Sequence, residues 1–374
     1  MGTLFHFPYR SVAEVSLRAI LRNLVTLRTL SQKEIVPVVK ADAYGHGILP
    51  VSQALVSRGS CHTLCVATLE EAIELRKKIP YAISIWVLSG FLPHQLEAYN
   101  KYRLTPLIHS LNHLKSLLNQ KRLPDIHLKL DTGMHRLGLL PEEMNEAFLT
   151  IQRIGIKLSG FATHFAESES TMSKFVDEQI NIFHGVYQEL LHRKLIQTDA
   201  KIHIANTGAI LRKKLGFSFS VRPGIGLYGI SPNPRISPSN ELIPSLSWKA
   251  RVLTIKQIKA HDTVGYGRTY TAKKRERLAV VSIGYADGLP RLLSNEGYVI
   301  VGGKKVAIRG RVSMDLTTID CTQVSSIREG SLVTLIGKDS KHSVSAWDLA
   351  NWARTIPYEI LCGISPRVPR VYLD

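Results

Sequence analysis

The chain is 374 residues long, with 44% hydrophobic and 21% charged side chains. That balance excludes a disordered or collagen-like polypeptide, and the length fits about two domains, or a long barrel with a companion. The formal net charge of +18 is large enough to attract nucleic acid or anionic ligands, but the basic residues are dispersed. The runs at Arg212–Lys214 and Lys273–Arg277 carry no interleaved aromatics, so nucleic acid is not an expected partner.

In chain order, Met1 to Arg10 lacks a basic run leading into an apolar stretch and a cleavage site, so no secretory signal is expected. His6 likewise spoils the N-terminal acylation pattern. No segment reaches the ~20 apolar residues of a membrane helix, and a membrane partner is not expected. Cys61, Cys65, Cys321 and Cys362 form neither a disulfide framework nor a paired metal-ligand pattern, which points to the cytoplasm and to a site without metal.

From residue 11 to 235, apolar runs of strand length alternate with segments of helical period. The expected strands are Ile35–Lys40, Leu64–Ala67, Ile83–Leu88, Leu104–Ile108, Ile126–Leu130, Lys157–Thr163, Lys201–Ala205 and Phe219–Arg222. Amphipathic helices are expected at Leu17–Leu30, Glu70–Lys78 and Glu178–Leu191. This rhythm predicts an α/β fold with an N-terminal (β/α)8 TIM-like barrel, although an open doubly wound sheet shares the alternation. The proline-rich stretch Ser231 to Pro244 forbids helix and central strand and marks the boundary. Beyond it, alternating runs at Lys249–Ile258, Leu278–Ile283, Tyr298–Ile308, Leu316–Ile319 and Leu332–Ile336 predict a mainly-β domain of residues 236–374, joined by residues 1–10, with one helix near Ser345–Thr355.

Reactive side chains gather at the ends of the expected barrel strands. Lys40 closes the first, Asp131 and Arg136 follow the fifth, His164 ends the sixth, Asn206 follows the seventh and Arg222 ends the eighth. In a parallel barrel those ends share the face on which active sites are built. A lysine after the apolar run Ile35 to Val39 is a candidate for Schiff-base chemistry, since desolvation lowers an amine's pKa. The segment Gly224 to Gly229 matches G-x-G-x-x-G but runs toward prolines instead of a helix, which rejects a dinucleotide fold and leaves a backbone able to approach phosphate. His109 and His113 sit four apart without an accompanying glutamate, and no metal site is read there.

The segment from Val38 to Gly47, VVKADAYGHG, resembles the pyridoxal-phosphate lysine motif of the alanine racemases. Further segments follow in that family's order: HLKLDTGMHRLG (127–138), GFATHFA (160–166), HIANTGAIL (203–211), VRPGIGLYGI (221–230), VGYGRTY (264–270), IGYADGLPR (283–291), GRVSMD (310–315) and PYEILCGISPRVPRVY (357–372). The similarity covers essentially the whole chain from residue 11. It implies a barrel binding pyridoxal 5'-phosphate (PLP), a C-terminal β domain, and a homodimer whose active sites are each completed by the partner. By this resemblance Lys40 binds PLP covalently and serves as one catalytic base, on the D-alanine side, while Tyr266 from the other subunit is the base on the L-alanine side. His164 and Arg222 are the cationic neighbours expected to lower the phenol's pKa, and Arg222 faces the pyridine nitrogen. Tyr44, Asn206, Thr207, Gly224, Ile225 and Tyr358 complete the cofactor site. Arg136 contacts PLP and the substrate carboxylate, Met314 and Asp315 recognise substrate, Tyr285 narrows the entrance, and Lys129 aligns with a lysine that is carbamylated in some members.

The expected activity is interconversion of L- and D-alanine, supplying D-alanine for peptidoglycan. The alternatives are a racemase of broader specificity, acting for example on serine, and a non-catalytic PLP-binding protein. Thr207 stands where serine is common, Ser313 where cysteine is frequent and Leu316 where glutamine is frequent. These departures bear on pocket size and spare both bases.

Overall fold

The structure, a computed structural model, describes residues 8–170, 172, 174–213, 220–236 and 242–374. Two units divide the chain: Ala19–Tyr44 with Ile48–Pro244, and Met1–Arg18 with Gly45–Gly47 and Ser245–Asp374. They are called here the barrel unit and the β unit.

The first strand, β1 (Ser11–Ser16), pairs antiparallel with residues 246–250 and parallel with residues 370–373. It therefore belongs to the β unit, whereas the alternation in the sequence assigns residues from 11 onward to the barrel. A six-residue, largely buried strand reads the same whichever sheet receives it, so its partner is fixed only by tertiary pairing.

The barrel unit holds β2 (Glu34–Ile35), β3 (Thr63–Val66), β4 (Ser84–Val87), β5 (Thr105–Ile108), β6 (His127–Lys129), β7 (Leu158–Ala162), β8 (Ile196–Asn206) and β9 (Ser220–Arg222). All are parallel, in the spatial order β2-β9-β8-β7-β6-β5-β4-β3, and the Val38–Cys65 bridge beyond β2 joins the two ends of that order. Seven of these strands fall at the runs expected of them, with Phe219 outside the described residues and β8 beginning earlier than its apolar run; the run Ile35–Lys40 does not, since β2 ends at Ile35 and only Val38 beyond it forms a bridge, to Cys65. Near-continuous burial along β3, β5 and β6 is the signature of strands covered on both faces. Helices occupy Leu17–Ser31, Leu69–Arg76 and Phe175–His192, where the amphipathic periods lie. The first buries Ile20, Leu24 and Leu27 on one stripe, each contributing about 1.5–3 kcal/mol of burial.

The β unit is built on a nine-stranded sheet through which the long strand β10 (Leu246–Ile258) runs, pairing with β1 and with strands at Glu276–Val281 and Leu332–Asp339. The run Tyr298–Ile308 is not one strand. Gly302 and Gly303, at φ 54° and 71°, turn it into a hairpin of Tyr298–Val301 against Lys304–Ala307, because a two-residue turn matching strand twist needs positive φ at both positions. Two short helices, Ala346–Trp352 and Pro357–Cys362, precede a closing strand at Arg370–Leu373. Among the described residues no helix is long and apolar enough to cross a membrane.

Candidate active site

Lys40 follows β2 and begins a single left-handed turn, in which Ala41, Asp42, Ala43 and Tyr44 all lie at φ 52–55°. Each L-residue in that conformation costs roughly 1–2 kcal/mol, so the turn persists only where its surroundings hold it. Three contacts do so. The Ala41 N–H donates to Glu71 Oε1 at 2.7 Å, the Ile48 N–H to Asp42 Oδ1 at 2.7 Å, and the Ala43 N–H to the Val39 carbonyl at 2.9 Å. Glu71 also closes the start of its own helix: its other oxygen accepts from Ala67 and Thr68, and Thr68 Oγ1 accepts from the Glu71 N–H.

The strands next to β2 in the ring, β9 and then β8, supply the neighbouring groups. At the end of β8, Asn206 Oδ1 caps the short helix Thr207–Leu211 by accepting from the Ala209 N–H at 3.1 Å. Thr207 Oγ1 then accepts from the N–H groups of Gly224 and Gly226, at 3.1 and 3.3 Å. A Cβ at Gly224 would come within 2.2 Å of the Tyr44 hydroxyl oxygen, so any larger residue there would displace that side chain. A hydroxyl from Tyr44, a hydroxyl from Thr207 and the buried backbone turn Gly224–Ile225–Gly226 thus meet in one cup. Tyr228 braces it from below, with its ring 4.9 Å from that of Tyr44 and its hydroxyl donating to the Val38 carbonyl.

Arg222 ends β9 and is 6% exposed. Its guanidinium donates to the Thr163 carbonyl at 2.9 Å, to His164 Nδ1 at 3.4 Å, and to both Nδ1 and the carbonyl of His203. No carboxylate pairs with it among the described residues, and burial lowers its pKa to about 10. His164 is pushed well below the usual histidine range by burial, then by Arg222, Lys129, Arg136 and Lys40. All of these causes favour its uncharged form, whereas Arg222 is a guanidinium that stays charged beside it. Lys129, at the end of β6, is 7% exposed and held down to about 8 by burial and by Arg222 and Arg136, with Asp131 opposing and Lys40 adding to the depression. Arg136 is exposed on the loop that Asp131 shapes by accepting from the N–H groups of Gly133 and His135.

The remaining sequence-predicted residues belong to the β unit. Tyr266 stands 73% exposed between Gly265 and Gly267, both at positive φ. Tyr285, Met314 and Leu316 are 44%, 53% and 41% exposed. Their loops are stitched together: Tyr285 N–H donates to the Ser313 carbonyl, Ala286 N–H to the Met314 carbonyl, and Gly310 N–H to Asn295 Oδ1, whose own amide donates to Thr269. Asp315 pairs with Arg367 at 2.6 Å, and Arg367 reaches the buried Asp287. Tyr358 lies in the first turn of the helix Pro357–Cys362.

The family model for the alanine racemase N-terminal domain matches residues 15–232, and that for the alanine racemase C-terminal domain matches residues 245–372. The chain belongs to the alanine racemase family. It is 40% identical over 371 residues to an alanine racemase of Halothermothrix orenii, covering 96% of each chain. Among solved structures it resembles the alanine racemase of Streptomyces lavendulae, with a TM-score of 0.90, 29% identity and 99% and 98% coverage. It also resembles that of Bartonella henselae with covalently bound pyridoxal phosphate (TM-score 0.86, 31% identity, 98% and 100% coverage) and that of Bacillus anthracis with bound L-Ala-P (TM-score 0.89, 33% identity, 98% and 96% coverage).

Within this alanine racemase barrel, several structural supports are absent from the sequence reading. Glu71 is detectable as Thr68-x-x-Glu71, the capping-box spacing. Gln179 is fully buried on the helix Phe175–His192, donating to Thr132 Oγ1 and the His164 carbonyl and accepting from the Ala166 N–H. His127 and His203 open two of the quoted segments, but their hydrogen bond to each other at 2.9 Å carries no sequence signal, since they lie 76 positions apart.

Proposed function

We propose that the chain interconverts L- and D-alanine with bound PLP through two bases, Lys40 and a Tyr266 contributed by a second copy. The observation that carries the reading is the placement of Lys40, the Thr207–Gly224 cup and Arg222 at the ends of three neighbouring strands, β2, β8 and β9. The group fits these residues. The cup joins hydroxyls to glycine backbone that a Cβ would fill, as a phosphate requires, and a guanidinium without a carboxylate partner stands beside it.

Tyr44, Thr207, Gly224, Ile225 and Tyr358 would hold the phosphate, with Asn206 ordering the Thr207 turn. Lys40 would supply the covalent link and Arg222 the contact to the ring nitrogen, flanked by neutral His164. When bound, PLP provides the electron sink that makes an amino acid's α-proton removable. Inversion then requires a proton taken from one face and another returned to the opposite face, because a single base tends to return what it took. The Lys40 amine acts on one face and the Tyr266 phenol on the other. Arg136 binds the substrate carboxylate, and Met314 and Asp315 with Tyr285 limit the side chain that enters.

Carbamylation of Lys129 belongs to the same proposal. An amine held at about 8 among cations has a substantial uncharged fraction able to add CO2, and the resulting anion would relieve the repulsion and hold Arg136. The homodimer is supported by the exposed Tyr266, Tyr285, Met314 and Leu316 on adjoining loops, a covering that a second copy would supply. The product is proposed to serve peptidoglycan synthesis in the cytoplasm.

The test is incubation of the PLP-loaded protein with L-alanine, L-serine and L-lysine in D2O. D-alanine carrying α-deuterium, lost in both Lys40→Ala and Tyr266→Phe, is the expected result. Equal turnover of serine would widen the substrate class, and PLP binding without inversion of any amino acid would overturn the enzymatic reading.

A further inference from the structure

Behind Arg222 the barrel interior contains a chain of imidazoles. His203 is fully buried, with Nδ1 against Arg222 Nη1 and Nε2 2.9 Å from His127 Nδ1. His127 is 2% exposed, and its ring is fixed on two sides. Trp86 lies with its ring centroid 4.5 Å from that of His127 and 4.6 Å from that of His203, and a Cβ on Gly160 would come within 2.4 Å of the His127 ring.

The donor inventory gives this chain one direction. A guanidinium has only N–H donors and no acceptor, so His203 Nδ1 must offer a lone pair to Arg222. A neutral His203 then carries its proton on Nε2 and donates it to His127 Nδ1. His127 must therefore accept there and hold its own proton on Nε2. The reverse arrangement would set a His203 Nδ1–H against an Arg222 N–H, two donors facing each other in a dry interior. Burial and the Arg222 charge keep both rings neutral, which removes the doubly protonated alternative.

We infer that His127 is a positioning residue for Arg222: as the terminal acceptor it locks the tautomer of His203, and so fixes the orientation in which Arg222 presents its donors. It acts through His203 and touches neither substrate nor cofactor. Without an acceptor at this position, the His203 Nε2–H is left unsatisfied, and its proton is better placed on Nδ1, where it expels Arg222 from its seat.

The test uses full-length, PLP-loaded protein labelled with 15N in the histidine rings, as wild type, His127→Leu and His127→Asn. Asparagine retains an acceptor oxygen near the place of Nδ1, while leucine removes it. The wild-type spectrum is expected to show His203 protonated on Nε2, retained in His127→Asn and lost in His127→Leu. The kcat for alanine should fall about tenfold in His127→Leu with KM unchanged, and His127→Asn should recover most of that loss. Wild-type His203 protonated on Nδ1 overturns the inference. So does an unaltered spectrum and kcat in His127→Leu, or a loss in His127→Asn equal to that in His127→Leu, which would assign His127 to packing against Trp86. If His127→Leu fails to fold, the wild-type and His127→Asn spectra still decide. The kinetic arm rests on the racemase reading and the spectral arm does not, so inactive wild-type protein with the expected tautomer would count against the proposed function alone.

Discussion

Arg222 in the barrel unit and Tyr266 in the β unit are held in opposite ways. Arg222 is 6% exposed, and its terminal nitrogens are tied to residues 19, 58 and 59 positions away in sequence. Tyr266 is 73% exposed, and what fixes it is its own loop, pinned between two positive-φ glycines and next to the turn at Arg311. Burial gives the barrel residues preorganised charges in a low dielectric, where each dipole acts strongly and needs no reorganisation. The loops of the β unit are hydrogen-bonded to one another, but leave Tyr266, Tyr285 and Met314 exposed. The first arrangement is built from barrel residues of one chain, and the second leaves exposed apolar side chains that the proposed second copy would cover.

The sharpest way to break that contrast is to separate the two bases onto different chains. Lys40→Ala and Tyr266→Phe homodimers should each lose at least about 10²-fold in turnover. Mixed and allowed to exchange subunits, they should regain about a quarter of wild-type activity, because half the dimers are then heterodimers with one intact site. No recovery after verified exchange would place both bases in one chain. Gly224→Ala comes next. Its Cβ would meet the Tyr44 hydroxyl, which must withdraw from the cup, so PLP retention in equilibrium dialysis should weaken by about tenfold or more. Unchanged retention would remove the cup from the cofactor site.

How much of this was legible in the sequence follows from the same contrast. The places of Lys40, Asn206 and Arg222 could be read because an apolar run stopping at each is a local pattern, although β2 itself ends at Ile35. The left-handed turn after Lys40 could not, since Ala41 and Ala43 have no intrinsic preference for positive φ and are held there by Glu71 and Asp42. The surroundings of His164 were not legible for a related reason. Sequence shows a histidine next to a strand end, but what lowers its pKa is burial first and then Arg222, Lys129 and Arg136 converging on it. The place of β1 depended on pairing with strands more than 200 residues away.

The buried bases and acids also set how the barrel responds to pH. His127 titrates near 3 in the fold against 6.5 when free, and His164 and His203 are lowered as well. Between 6.5 and about 3 the unfolded chain binds a proton that the folded His127 refuses, so this ring costs stability as pH falls, by up to about 1.4 kcal/mol per pH unit, and His164 and His203 act in the same direction. Lys129 acts in the other window. Lowered to about 8 from 10.5, it penalises the fold fully below about 8 and ceases to do so as pH rises toward 10.5. Carbamylation would cancel that penalty, so added 13C-bicarbonate should give a carbamate signal and raise stability near pH 7, both absent in Lys129→Ala. A denaturation midpoint indifferent to bicarbonate, with no such signal, would leave Lys129 as a plain amine.

The smallest effect is expected at Glu71, where stability and site geometry can be told apart. Its carboxylate accepts from Ala41 through one oxygen and from Ala67 and Thr68 through the other, so it caps a helix and braces the turn after Lys40 together. Glu71→Ala should cost about 1–2 kcal/mol in denaturant unfolding, the ordinary range for a lost cap and an unsatisfied amide. Glu71→Gln can accept through only one of its two terminal atoms, the other being a donor that cannot face an N–H. It should therefore keep either the cap or the brace, and amide hydrogen exchange shows which. Fast exchange at Ala41 with protected Ala67 would mean that the left-handed turn yields first, as its strain predicts. If Ala41 remains protected in both variants, Asp42 and the Val39 carbonyl suffice to hold the turn, and the Glu71 contact matters only to the helix.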